Sequence, residues 1–210
     1  MTFKQAHSTN YTKGRTKTID RIVMHYTAGD GDTADNNGDY FAGANRGASS
    51  HYFVDENTIV QSVKEGDTAW HAGNWDMNCR SIGIEMCSRK DRNGNYYLAD
   101  ATVKRAAELV RELMAKYGIP ITGVIRHYDV TGKKCPAPMV DNAILWQNFK
   151  AMLTTEEKPK GKPPADVPAE WAKEAWQAAF DKGLLDGTRP TDPVTRQEFA
   201  VVLHRLGLTK

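Results

Sequence analysis

Short runs of apolar and β-branched residues recur along the first two thirds of the chain and predict the strands of a sheet. Their lengths of four to six residues are typical of buried strands. They lie at 21–26, 51–54, 58–63, 81–86 and 123–127. The polar triplet 55–57 separates the second run from the third, and this pattern predicts a β-hairpin.

Two segments space their apolar residues by three and four, which predicts amphipathic helices. The first begins at Asp100, which we expect to cap it, and ends before Gly118 and Pro120. The second covers about 140–153. Helices outside a central sheet predict an α/β fold, with a mixed β-sheet flanked by helices.

The composition changes sharply at residue 154. The stretch 154–165 has no large apolar residue and contains three prolines, so we expect an extended linker. The sequence therefore predicts a domain at 1–153, a linker at 154–165 and a small module at 166–210. The module shows one helical stripe at 170–182 and a capping box at 195–198 that opens another helix, which predicts an all-α helix–loop–helix unit.

Composition and charge narrow the function classes. The chain has 210 residues, 40% of them apolar, with 28 basic and 26 acidic residues and a net charge of +2. This near balance argues against nucleic-acid binding, which normally needs a concentrated basic surface. No apolar run approaches the length of about 18 residues that a membrane span needs. The first 25 residues hold no apolar core of a signal peptide.

Three residues that could ligate a metal follow the predicted strands. His25 and His127 lie near strand ends, and Cys135 lies in the loop after His127. Two imidazoles and one thiolate suit Zn²⁺ and leave a fourth position open, as in catalytic sites. The odd count of three cysteines does not suit a disulfide framework. From chemistry alone, hydrogen-bonded histidines and buried thiols are the more common explanation of such residues.

Glu85 and Lys133 are further candidates. Alternation along the strand sends Ser81, Gly83 and Glu85 to one face, where the small residues leave room for a pocket. A carboxylate reaching solvent at the strand end is the alternative. Lys133 lies two residues before Cys135, where its ammonium could reach an oxyanion; the alternative is a solvated loop lysine.

Four segments carry a resemblance to a known family. They are 22–27, 49–54, 69–74 leading to 81–85, and 126–136. In these segments, which cover about 20–140, the chain resembles the zinc-dependent N-acetylmuramoyl-L-alanine amidases. Phage endolysins, bacterial autolysins and peptidoglycan recognition proteins share this family.

The resemblance implies a peptidoglycan hydrolase that cleaves the amide between N-acetylmuramic acid and L-alanine of the stem peptide. It implies that His25, His127 and Cys135 hold Zn²⁺. It also implies that Glu85 handles the attacking water and that Lys133 steadies the intermediate.

Trp70, His71 and Asn74 are expected to form a wall of the substrate groove. The aromatic rings could stack on sugar or peptide, and the carboxamide could bond an amide. The alternative for Trp70 is packing in the core. The alternative for His71 is to be a metal ligand in place of His25, which its spacing supports only weakly.

One position departs from the family pattern. Some members carry a catalytic tyrosine just before the histidine of the second segment, where this chain has Ser50. We therefore assign the base role to Glu85. The main rival function is a recognition protein that binds peptidoglycan without cutting it, and the presence of Cys135 favours hydrolysis. A regulator that keeps the amidase fold is a third alternative.

The module at 166–210 resembles one S-layer homology repeat. This resemblance implies binding to a secondary cell-wall polymer. Such repeats usually come in threes, so either binding by one copy is weak or several chains assemble into a homo-oligomer. The absence of a signal peptide suits a phage or prophage endolysin that is made in the host cytoplasm and acts on the cell wall after release.

Overall fold

The structure is a computed structural model that describes residues 1–154 and 173–182, together with Phe199 and Leu203. The chain forms two compact units, Met1–Thr155 and Glu156–Lys210. The predicted linker beyond Thr154 and the second predicted helix of the module lie outside the described residues, apart from those two single positions. The functional assignment of the predicted domains stays a prediction.

The first unit alternates strands and helices along the chain. Its strands are β1 (Thr2–Phe3), β2 (Tyr11–Thr12), β3 (Arg21–Tyr26), β4 (Tyr52–Val54), β5 (Ile59–Gln61), β6 (Thr68–Ala69), β7 (Ser81–Met86), β8 (Arg89–Lys90), β9 (Tyr96–Tyr97) and β10 (Val124–Arg126). Its helices are α1 (Ala34–Gly43), α2 (Trp75–Arg80), α3 (Asp100–Tyr117), α4 (His127–Thr131), α5 (Ala137–Asp141) and α6 (Ala143–Thr154), with a 3₁₀ turn at Ile121–Gly123. In the second unit, the described residues form α7 (Lys173–Asp181).

Six strands form one mixed sheet in the order β1–β5–β4–β7–β3–β10. The β4–β5 hairpin is antiparallel, and β7, β3 and β10 run parallel to one another. Because parallel strands end at the same edge, the residues that follow β3 and β10 come together there. The predicted α/β class with a central mixed sheet and flanking helices is confirmed.

The two faces of the sheet carry different residues. Met24, Ile82 and Ile84 point into the main core, where they join apolar residues of α3 and α6 such as Val110 and Phe149. Alternation along β3 and β7 therefore sends His25, Gly83 and Glu85 to the opposite face. The strand register thus places the chemistry-bearing residues away from the main core.

The helices differ from the prediction in three respects. Ala99 is the N-cap residue of α3, so Asp100 does not cap the helix; it lies in the first turn, where a carboxylate favours the helix dipole. The predicted helix at about 140–153 is two helices that meet at Asn142. Helices α1, α2 and α4 were not predicted, and α4 (His127–Thr131) takes the place of the strand end and loop expected there. Within the described residues, no helix has the length and apolarity needed to span a membrane.

Candidate metal centre and groove

Two histidines and a cysteine from distant parts of the chain meet at the carboxyl edge of the sheet. His25 lies near the end of β3, and His127 begins α4 directly after β10. His25 Nδ1 is 3.7 Å from Cys135 Sγ, and the rings of His25 and His127 are 4.8 Å apart between centroids. One ligand atom from each residue lies within 4.8 Å of the others.

The chemistry of these three residues fits a zinc ion. Burial lowers the pKa of His25 well below its usual value, so its imidazole is neutral and can offer a lone pair. Among the residues that the structure describes, the buried His127 Nδ1 has no hydrogen-bond partner. Burial, and then the charge of Glu85, raises the pKa of the Cys135 thiol to about 12. A cation would give the orphaned nitrogen a partner and stabilise the thiolate.

Glu85 lies at the same site. It is the register partner of His25 in the parallel β3–β7 pair, and its Oε1 is 4.0 Å from His25 Nδ1. Among the described residues, its buried Oε2 has no hydrogen-bond partner. Burial raises the pKa of Glu85 to about 8, and the nearby Lys133 ammonium opposes this rise. A cation held by His25, His127 and Cys135 would lower this pKa further and favour the carboxylate, which can accept a proton.

An open groove of about 500 Å³ lies beside the cluster. It is lined by Gly47, Ala48, Trp70, His71, Gly73, Asn78, His127, Thr131 and Lys133. Of the predicted site residues, His127, Lys133, Trp70 and His71 therefore line one groove. The Trp70 indole donates a hydrogen bond to Thr12 Oγ1 at 3.0 Å, which fixes the ring against β2.

Asn74 has a structural partner of its own. Its Oδ1 accepts a hydrogen bond from the Met77 backbone N–H at 3.0 Å and caps α2. Asn78, one helical turn later, lines the groove, and the sequence analysis did not identify it. Its position in a short polar helix gave no periodic signal. Substrate binding by Asn74 stays a prediction.

His71 lies between the three candidate ligand residues and the start of β7. Its Nδ1 is 3.0 Å from His25 Nε2, and its Nε2 is 3.2 Å from Ser81 Oγ. Burial, and then the charge of Arg15, lowers the pKa of His71 to about 3. A neutral His71 therefore contacts the ring nitrogen of His25 that does not face Cys135.

The segment around His51 brings no tyrosine to the cluster. Ser50 is buried, and Tyr52 lies in the main core, where its hydroxyl donates to Glu65. This agrees with the departure seen in the sequence. Cys79 and Cys87 are buried free thiols away from the cluster, and Cys87 packs in a small apolar group with Phe53.

Comparison with known proteins identifies relatives of the first unit. The family model described as N-acetylmuramoyl-L-alanine amidase matches residues 15–138. The amidase CwlL of Bacillus licheniformis is 38% identical in an alignment of 144 residues that covers 61% of this chain and 39% of CwlL. The amidase BlyA of Bacillus subtilis is 31% identical in an alignment of 194 residues that covers 81% of this chain and 52% of BlyA.

Solved structures show the same fold. The catalytic domain of XlyA has a TM-score of 0.62 and 29% identity, covering 72% of this chain and 97% of that domain. PlyL has a TM-score of 0.63 and 28% identity, covering 74% of this chain and 97% of that structure. The chain spans about half or less of the length of the curated relatives named above.

Proposed function

Because the chain belongs to the N-acetylmuramoyl-L-alanine amidase family, we propose that it is a zinc-dependent hydrolase of peptidoglycan. The bond cleaved is the amide between N-acetylmuramic acid and L-alanine of the stem peptide. The observation that carries the proposal is the convergence of His25, His127 and Cys135 beside Glu85 and an open groove. This combination offers three ligands and a proton acceptor at one place.

His25, His127 and Cys135 would hold the zinc ion. When bound, the ion would polarise the amide carbonyl and lower the pKa of a water molecule towards about 7. Amide hydrolysis needs both effects, because resonance weakens the carbonyl as an electrophile and water is a poor nucleophile.

Glu85 would act as the proton shuttle. Its buried Oε2 has no other partner, so it can accept the proton of the attacking water. The same carboxyl group would then donate this proton to the leaving nitrogen of L-alanine. Such a group typically accelerates a reaction by about 10²–10⁴-fold.

Lys133 would stabilise negative charge on the carbonyl oxygen. Its charge acts on His25, His127 and Glu85, and its side chain lines the groove. Trp70 and Asn74 would contact the sugar or peptide next to the scissile bond, as the sequence predicts. His71 lines the same groove, and the substrate contact that the sequence predicts for it stays a prediction.

The rival function is recognition of peptidoglycan without cleavage. A binding protein has no need of a cysteine ligand or of a buried carboxylate with a free oxygen, so Cys135 and Glu85 favour the enzyme. The test is to incubate the purified full chain with peptidoglycan and to label new amino termini. New L-alanine amino termini with about one zinc per chain support the amidase. Reducing-sugar ends would indicate a glycosidase, and binding without any new ends would indicate a recognition protein.

We extend the proposal to the second unit from its sequence resemblance alone. Residues 166–210 would bind a secondary cell-wall polymer, either weakly as one copy or through a homo-oligomer. The chain would act on the bacterial wall as a phage or prophage endolysin, released from the host cytoplasm. Deletion of 154–210 should weaken sedimentation with cell walls and leave the zinc content unchanged; equal sedimentation would refute the targeting role.

A further inference from the structure

The dipeptide His71–Ala72 acts on both histidines of the metal cluster. His71 Nδ1 is 3.0 Å from His25 Nε2. Burial lowers the pKa of the His127 imidazole, and the Ala72 backbone acts on the ring in the opposite direction. Within the described residues, the buried His127 Nδ1 has no hydrogen-bond partner. One short segment therefore contacts the Nε2 atom of His25 and influences the second histidine.

A chain of hydrogen bonds determines which nitrogen of His25 carries the proton. Ser81 Oγ donates its only proton to the Met77 carbonyl at 2.5 Å, so it can only accept from His71 Nε2–H at 3.2 Å. A neutral His71 protonated at Nε2 has a bare Nδ1, which must accept. His25 Nε2 must then donate, and the lone pair of His25 Nδ1 faces Cys135.

The hydrogen bonds determine a tautomer for His25 alone. In the part of the chain that the structure describes, the buried His127 Nδ1 has no hydrogen-bond partner, so this nitrogen is open to a metal ion.

Two further residues hold the dipeptide in place. Asn78 Oδ1 accepts the backbone N–H of His71 at 3.1 Å and that of Ala72 at 2.8 Å. Gly83 of β7 lies against the His71 ring, since a Cβ at this position would be 2.6 Å from His71 Cγ. A carboxamide and a glycine thus provide the anchor and the space that the ring requires.

We propose that His71 and Asn78 are positioning residues that, with Ser81, hold His25 in the tautomer that presents Nδ1 to the metal ion. This gives His71 a role that differs from substrate binding and from direct metal ligation. The consequence for zinc rests on the proposed function, whereas the tautomer is a property of the metal-free chain. Partners of this kind typically change metal affinity by about 10–100-fold.

The test compares His71→Ala with His71→Asn in the full chain, because the asparagine oxygen can accept from His25 in place of Nδ1. Nitrogen-15 NMR of the zinc-free protein should show His25 protonated at Nε2 in the wild type and in His71→Asn, and a mixture of tautomers in His71→Ala. Zinc affinity should fall by about 10–100-fold in His71→Ala and recover in part in His71→Asn. At saturating zinc, KM for peptidoglycan should stay within about twofold, with any loss in kcat.

A second pair tests the anchor. Asn78→Asp keeps an oxygen that accepts both N–H groups and should retain zinc affinity, whereas Asn78→Leu should lower it. A raised KM with unchanged tautomer and zinc affinity in His71→Ala would make His71 a substrate contact and overturn the proposal. Circular dichroism identifies a variant that does not fold. If His71→Ala or Asn78→Leu does not fold, the His25 tautomer and the zinc affinity of His71→Asn and Asn78→Asp, each compared with wild type, test the proposal. If the wild type shows the expected His25 tautomer but releases no L-alanine amino termini, the proposed amidase function is refuted and the positioning role of His71 is not.

Discussion

Glu85 lies directly beside His25 across the parallel β3–β7 pair, with Oε1 4.0 Å from His25 Nδ1. The strand register alone places these two side chains next to each other, because side chains of paired residues in adjacent strands point to the same face. A slip of one residue in β7 would turn Glu85 towards the main core. The strand pairing therefore places the proposed proton acceptor beside a proposed metal ligand.

The first prediction concerns the Glu85 carboxylate. Glu85→Gln should retain about one zinc per chain and lose about 10²–10⁴-fold in kcat, because the carboxamide keeps the shape but cannot accept a proton. The measurements are zinc content and the rate of release of L-alanine amino termini. Glu108→Gln, on the exposed side of α3, is the matched control and should behave as wild type. Full turnover by Glu85→Gln would remove Glu85 from the proton-transfer role.

The second prediction separates two adjacent lysines. Lys133 lines the groove, whereas Lys134 is exposed and forms an ion pair with Asp141 at 2.8 Å. Lys133→Met should lower kcat by about 10²–10³-fold, as expected for the loss of an oxyanion donor. Lys134→Met should cost little, since an exposed ion pair contributes about 0–1 kcal/mol. Equal effects of the two variants on kcat would contradict the assignment.

The third prediction concerns metal removal. Cys135→Ser should lose zinc at a chelator concentration that wild type withstands, because a hydroxyl is a much poorer zinc ligand than a thiolate. Cys87→Ser, which changes a buried thiol outside the cluster, should keep its zinc. Zinc titration of chelator-treated protein, followed by the return of activity, provides the measurement. Equal zinc retention in both variants would exclude Cys135 as a ligand.

The fourth prediction concerns the glycine beneath His71. Gly83→Ala would place a Cβ 2.6 Å from His71 Cγ, so the ring must shift from its position beside His25. Zinc affinity should fall, and the free energy of unfolding should fall by about 1–3 kcal/mol through overpacking. Gly66→Ala is the control, since a Cβ there meets nothing within 4 Å. Unchanged zinc affinity in Gly83→Ala would show that the cluster does not depend on the His71 ring.

The fifth prediction concerns acid stability of the zinc-free chain. Burial lowers the pKa of His51 well below its usual value and that of His71 to about 3. Below about pH 6.5 the unfolded chain gains protons that the folded chain does not, so stability falls as the pH falls. Each such histidine contributes up to about 1.4 kcal/mol per pH unit to this loss.

Urea unfolding at pH 7.5 and pH 5.5 measures this effect. The free energy of unfolding should be lower at pH 5.5, and His51→Gln should show a smaller difference between the two values, because glutamine does not titrate. An equal difference in the wild type and the variant would contradict the burial of a neutral His51.

The sheet was predictable because its central strands are buried on both faces. The residues of β3 and β7 that pack against α3 must be apolar, so their burial is visible in the sequence as apolar runs. Helix α1 left no such signal, since Ala34–Gly43 is largely polar. It packs through small residues such as Gly38, where a Cβ would be 2.9 Å from a Val60 methyl group.

The residue types of the candidate site were also predictable, but not all of their contacts. His25, His127 and Cys135 come together as the four ordered segments implied. Asn74 and Asn78 look alike in the sequence, yet one caps α2 and the other holds the backbone of His71. The direction in which these side chains point depends on how the short helix α2 packs against β7. So short a helix has no periodic sequence pattern that would reveal this packing.

The wide sequence separation of the three ligand residues has a consequence for folding. His25 and Cys135 are 110 residues apart, so an ion held between them closes a loop over most of the first unit. A covalent cross-link around a loop of about 100 residues restricts the unfolded chain by roughly 4–5 kcal/mol. Under the proposed function, a bound zinc ion would restrict the unfolded chain in the same way, but reversibly. Its loss would then destabilise the first unit, and the lifetime of the folded chain would depend on the supply of the metal.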